Sequence, residues 1–71
     1  MSEAERVMGT VKWFKSERAY GFIQPDNGPD VFVHQSEIRE GHTLTEGDRV
    51  EFTITPDPRG PKATNVVRLD R

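Results

Sequence analysis

The sequence predicts an all-β fold, a small antiparallel barrel of five short strands, and three observations carry that expectation. Apolar residues recur at every second position in several short runs, while no segment holds a 3.6-residue period. Two breaker clusters, "PDNGPD" at 25–30 and "PDPRGP" at 56–61, separate such runs. The chain has 71 residues, enough for one domain. A domain of that size buries only about 60% of the surface its unfolded chain exposes. Closing a small sheet on itself removes its exposed edges and suits a thin core.

The elements follow in order. Residues 1–6, "MSEAER", are polar and read as a flexible tail, leaving 7–71 as the folded domain. The first strand is expected over 7–15, "VMGTVKWFK", and the second over 20–24. The cluster "PDNGPD", with its Asn-Gly pair, joins the second strand to a third over 31–35 as a hairpin. A looser segment, "SEIREGHTLTEGD", follows with one helical turn near Ser36. The fourth strand, "RVEFTIT", sets Val50, Phe52 and Ile54 in strict alternation, and the last runs over 63–69.

Alternation assigns faces to the hairpin. Successive strand side chains point to opposite sides. Tyr20 and Phe22 therefore share one face and Gly21 and Ile23 the other. In the third strand Phe32 and His34 oppose Val31 and Val33. Aromatic pairs on strands usually belong to a core. Burying this set, however, would bury the His34 imidazole, whose two nitrogens would both need partners, or else expose two valines. The valine face goes inward, and Tyr20, Phe22, Phe32 and His34 face outward. Gly21 then lies inside, where curvature or close backbone approach has use for a missing side chain. Trp13 and Phe14 are adjacent and cannot share a face in a regular strand. Alternation from Val11 would turn Trp13 inward, whereas a bulge would turn it out. Lys12, Lys15 and Arg18 flank this region.

Composition bounds the function. The net charge is -2, short of the basic surplus common among nucleic-acid binders, but the charge is uneven. Residues 36–58 carry -4, and residues 59–71 carry +3. There is no cysteine, so disulfides, thiolate zinc sites and thiol catalysis are excluded. No apolar run nears the ~20 residues of a membrane span, and "MSEAER" lacks a signal peptide's apolar stretch. A soluble, cytoplasmic protein without a membrane role is expected. Catalysis is not: no paired carboxylates stand beside a nucleophile. Asp30 and His34, on one strand face, would lie about 13 Å apart, too far to share a metal. No cofactor is expected.

Rings displayed on a sheet and edged by cations suit unpaired bases, the rings taking base faces and the cations phosphates. "RAYGFI" resembles the first ribonucleoprotein signature. That signature also marks the RNA-recognition motif, but that fold needs two helices and a longer chain. With "GTVKWF" upstream, and "VFVH", "EGDRVEF" and "RGPKATNV" downstream, the order resembles a bacterial cold-shock protein from about Met8 to Leu69. The resemblance implies an OB-fold barrel, here a cold-shock domain over 7–71. It also implies a monomer binding single-stranded RNA or DNA, often pyrimidine-rich, and acting as an RNA chaperone in transcription termination or translation.

Carried over by position, the implied binding residues are Lys12, Trp13, Arg18, Tyr20, Phe22, Phe32, His34 and Arg59. The family turns Trp13 outward and keeps Phe14 partly buried. Lys15 joins the set as a flanking cation. Four positions depart from the pattern. Ala19 stands where glycine is usual, Arg18 replaces a lysine, and Gln35 replaces a phenylalanine that stacks on a base. His42 lies in a shortened loop near the place of another aromatic. Gln35 and His42 remain candidate contacts, and weaker binding or a shorter footprint is expected. The main rival is a protein-interaction barrel that docks a peptide on the same rings.

Overall fold

A computed structural model describes residues 6–39 and 43–69. Five strands form: β1 Arg6–Lys15, β2 Tyr20–Pro25, β3 Val31–His34, β4 Arg49–Thr55 and β5 Lys62–Arg68, with a 3-10 turn at Gln35–Glu37. They close into a barrel in the order β1-β2-β3-β5-β4. The strand boundaries fall within one residue of expectation. At the N-terminus, Arg6 belongs to β1 and not to a tail. Its guanidinium donates to the Asn65 carbonyl at 2.7 Å and the Glu51 carbonyl at 3.2 Å, tying the start of β1 to the adjacent β4 and to β5 beyond it. The rest of the expected tail lies outside the described residues.

Four seams are antiparallel, and the seam between β3 and β5, through Phe32 and Lys62, is parallel. The barrel is mostly antiparallel, as expected, and its one parallel seam follows from parity. Directions that alternate around five strands cannot all oppose when the ring closes, so one seam must be parallel.

The core consists of Val11, Ile23, Val31, Val33, Ile38, Leu44, Val50, Phe52, Ala63 and Val66, with Val7 and Phe14 packed against it. Burying one such side chain contributes about 1.5–3 kcal/mol. Phe52 is the one aromatic among these buried residues. Ile38 and Leu44 come from the segment that the sequence left loose. Ile38 is drawn in through a bridge to Val66. Ile54, which alternation aligned with Val50 and Phe52, is instead 38% exposed. It opposes Ala63, past a break in the β4–β5 register between Glu51 and Thr53. On the β5 side of that break, Asn65 takes a left-handed φ of 55°, a conformation asparagine tolerates.

The "PDNGPD" connection is the expected hairpin, with Gly28 at φ 119°. It is tied back to the barrel by a fork. Arg49 donates to both Asp26 oxygens, at 2.9 and 3.0 Å, and to Thr10 Oγ1 at 2.9 Å. The Arg49 hydrogen bonds hold the Asp26 carboxyl below its ordinary range and raise the guanidinium in turn.

Candidate functional site

The outer surface of β1, β2 and β3 is built by a change of phase in β1. Val11 pairs with Ile23, but the next pair is Trp13 with Phe22, so Lys12 is the extra residue of a bulge. Beyond the bulge Phe14 turns inward opposite Gly21, and Trp13 turns outward. Gly21 is required there: a Cβ would sit 2.7 and 2.8 Å from Phe14 atoms. The bulge thus resolves the orientation of Trp13 that alternation left open.

Two rows of side chains cross the three strands. One runs Trp13, Phe22, Phe32, each directly opposite the next; the other runs Lys15, Tyr20, His34. Ring centroids lie 5.3 Å apart for Trp13–Phe22, 5.9 Å for Phe22–Phe32, 5.8 Å for Trp13–Tyr20 and 5.6 Å for Tyr20–Phe32. All four pairs are tilted or edge-on, within the favoured range for aromatic pairs, so no ring covers another face to face. The four rings are half-buried, held at their edges by one another. Lys15 Nζ lies 5.8 Å from the Trp13 ring centroid, a cation–π contact.

His34 is exposed at the end of its row. Its Nδ1 accepts from the Ser36 backbone N–H at 3.1 Å and lies 3.0 Å from Ser36 Oγ. Accepting that bond requires an unprotonated Nδ1, which in a neutral ring puts the proton on Nε2.

The first row continues past Phe32 to Lys62 across the parallel seam. Here a groove of about 560 Å³ opens, lined by Phe22, Phe32 and His34 on the sheet and by Asp57, Arg59 and Lys62 from the "PDPRGP" region. Asp57 organises that loop. Its Oδ1 accepts from the Arg59 backbone N–H at 3.0 Å, and its Oδ2 lies 3.7 Å from Lys62 Nζ. The Arg59 N–H is the main cause holding the Asp57 carboxyl below its ordinary range, with the charges of Arg59 and Lys62 adding to it.

Most of the expected site residues come together. Trp13, Tyr20, Phe22, Phe32, His34 and Lys15 form the two rows, and Arg59 joins them at the groove, 88% exposed. Lys12 stands at the bulge, ion-paired with Asp30 at 2.7 Å. Arg18 is exposed in the turn between β1 and β2. Gln35 opens the 3-10 turn, half-buried, its N–H donating to the Ala19 carbonyl at 2.8 Å; it does not line the groove. His42 lies outside the described residues. The sequence missed Lys62 and Asp57 as groove residues; Asp30 it set on the His34 face without assigning it to the site. Period-two alternation reports faces along one strand, and nothing in it says that β5 lies beside β3. Among the described residues no cluster of His, Asp and Glu could hold a metal ion. No helix among them is long and apolar enough to cross a membrane.

A family profile described as 'Cold-shock' DNA-binding domain matches residues 7–69. The chain is 49% identical over 65 residues to the cold shock-like protein CspC of Bacillus cereus, covering 89% of this chain and 100% of that protein. It is 56% identical over 63 residues to the cold shock-like protein CspLB of Listeria monocytogenes, covering 86% and 96%. It is 48% identical over 65 residues to the major cold shock protein of Streptococcus pyogenes, covering 89% and 97%. Among solved structures it is similar to drosophila Unr CSD456, with a TM-score of 0.76 and 24% identity, over 93% of this chain and 27% of that one. At that identity the structural likeness speaks for the fold alone.

Proposed function

The chain belongs to the cold-shock domain family, whose members bind nucleic acid and are not enzymes, and on that premise we propose that it binds unpaired RNA or DNA by stacking bases on Trp13, Tyr20, Phe22 and Phe32. One observation carries this reading: four of the six aromatic residues lie outside the core, in rows where no ring stacks face to face on another, in a chain only 32% hydrophobic. Rings kept out of so thin a core forgo burial, and a ligand's rings would recover it. Each stacked base contributes about 1–3 kcal/mol with little regard to sequence. Three or four platforms support binding without a basic surplus, consistent with a net charge of -2.

The chemistry of an RNA chaperone follows. A protein that binds only the unpaired strand shifts the pairing equilibrium by mass action and melts weak hairpins. Such melting would act on transcription termination and translation, in the cytoplasm where transcripts are made and read. Pyrimidine-rich strands suit the site, because modest preferences of this kind follow from stacking strength and backbone flexibility. The two rows fit on a single barrel, which supports a monomer as the binding unit. Gln35 and His42, where the family places further rings, shorten the footprint.

Titration with a short unstructured pyrimidine oligonucleotide, followed by Trp13 fluorescence at two or more salt concentrations, tests this reading. Quenching is expected, with a log–log salt slope near -2 if about three phosphates are neutralised. Absence of quenching at high micromolar protein would overturn it. Affinity for proline-rich peptides that is flat with salt would instead favour the interaction barrel. A site size equal to that of a fully aromatic relative would sink the short footprint.

A further inference from the structure

The connection between β2 and β3 carries the pair Asn27–Gly28 and is anchored on either side of it. Before the pair, the Asp26 N–H donates to the Met8 carbonyl at 2.9 Å, and the Asp26 carboxylate takes the Arg49 fork. After it, Asp30 pairs with Lys12 at 2.7 Å. Between these anchors Asn27, Gly28 and Pro29 are exposed and form an open bend. Among the described residues no hydrogen bond holds the Asn27 side chain or the Gly28 N–H. Gly28 sits at φ 119°, and a Cβ built on it would meet nothing within 4 Å. Asn65, the chain's other asparagine, has the opposite surroundings. Its Oδ1 accepts from Arg39 at 3.3 Å, its N–H donates to Glu37 Oε1 at 3.4 Å and its carbonyl accepts from Arg6 at 2.7 Å. The residue after it, Val66, is β-branched and fully buried.

An asparagine side chain can close on the main-chain nitrogen of the next residue when that nitrogen is unbound and no Cβ crowds the approach. Glycine removes the Cβ, and the open bend leaves the nitrogen unbound. We propose that Asn27–Gly28 is a site of spontaneous covalent modification, where the chain converts its own asparagine into aspartate and isoaspartate. The Gly28 nitrogen loses its proton to solvent base and bonds to Asn27 Cγ. The Cγ–Nδ2 bond breaks, and the amide leaves as ammonia with a proton returned by solvent. Water then opens the five-membered imide. Attack at Cγ yields aspartate; attack at the main-chain carbonyl carbon of Asn27 yields isoaspartate. One water enters and one ammonia leaves, with no oxidant or reductant. Either product sets a carboxylate between Asp26 and Asp30, whose cations Arg49 and Lys12 are already engaged, and takes the net charge from -2 to -3. The added charge stands at the tip of the hairpin that carries Phe22 and Phe32, and it repels an approaching polyanion. That consequence for binding rests on the nucleic-acid reading above; the modification does not.

The test holds the natural chain and Asn27→Gln at mildly alkaline pH, at a temperature where melting curves show both folded. Each is then digested with trypsin beside a sample that was not incubated. Cleavage at Arg18, Arg39, Lys62 and Arg68 puts Asn27 in peptide 19–39 and Asn65 in peptide 63–68. Peptide 19–39 is expected to gain the mass difference between an amide and an acid. It should also accept a methyl group from S-adenosylmethionine through an isoaspartate O-methyltransferase. Peptide 63–68 should stay unchanged, as should Asn27→Gln, whose longer side chain would have to close a six-membered ring. Synthetic peptide 19–39 sets the rate that an unrestrained chain reaches, and the folded protein should approach it. A folded protein that keeps Asn27 while the free peptide converts, or that modifies Asn65 as fast, would overturn the proposal. Asn27→Asp carries the new charge from the start. Titrated with a pyrimidine oligonucleotide by Trp13 fluorescence, it should bind about twofold more weakly than the natural chain at low salt and equally at high salt. Equal affinity at both would overturn the consequence for binding. If neither protein is quenched, the nucleic-acid reading fails, and the mass measurement still decides the modification.

Discussion

Ala19 sits at φ 65° in the turn between β1 and β2, a left-handed conformation that strains any residue with a Cβ. The turn holds it there. Its N–H donates to the Lys15 carbonyl at 2.8 Å, and its carbonyl accepts from the Gln35 N–H at 2.8 Å. The left-handed backbone costs alanine roughly 1–2 kcal/mol, while glycine gives back about 0.5–1 kcal/mol through the entropy of its unfolded chain. The strain is the larger effect. Ala19→Gly should therefore stabilise the protein by about 0.5–1 kcal/mol and raise the thermal midpoint by a few degrees, measured by circular dichroism. An unchanged or lower midpoint would mean that the turn relaxes around the methyl group. The unusual residue was visible in the sequence as a departure from the family's glycine. Its backbone conformation was not, because φ depends on the bonds that Lys15 and Gln35 impose from either side.

At the scale of the strands, function depends on one extra residue in β1. Without the bulge at Lys12, Trp13 would follow Val11 inward, and the row Trp13–Phe22–Phe32 would lose its first member. The row is held by its ring edges and lies outside the core, so truncating it should separate binding from folding. Phe32→Ala is expected to weaken binding of a pyrimidine oligonucleotide about tenfold, within the 1–3 kcal/mol of one stacked base, and to shift the thermal midpoint little. Fluorescence titration beside a melting curve checks both halves. A variant that binds normally would remove Phe32 from the interface, and one that unfolds would assign it to the core. The faces of β2 and β3 were legible from alternation alone, since Ile23, Val31 and Val33 against Tyr20, Phe22, Phe32 and His34 is a local pattern. The phase of β1 was not, because a bulge leaves no mark in a period-two reading.

For the whole molecule, stability rests on very few side chains. At about 0.05–0.15 kcal/mol per residue, a chain of 71 residues has roughly 4–10 kcal/mol to lose. Phe52, fully buried at the centre of the core, is the largest of its contributors. Phe52→Ala should cost about 3–5 kcal/mol and leave the protein largely unfolded or melting far lower, which a denaturation curve will show. A midpoint within a few degrees of the natural chain's would mean that the barrel collapses around the void. The contrast with Phe32 is the useful one: both are phenylalanines on strands, and only their faces differ.

The sequence by itself determined the fold class, the strand boundaries to within about a residue, and the two faces of the hairpin. Each of these follows from a signal only a few residues long, such as alternation or a breaker cluster. The tertiary structure decided what depends on closure. Parity forced one parallel seam on a ring of five strands, and that seam set Lys62 beside Phe32. Ile38 and Leu44 were drawn from a loop into the core, and Asp57 and Arg59 were brought to face the sheet across the groove. Those neighbours lie far apart in the chain, and no local period encodes which strand closes against which.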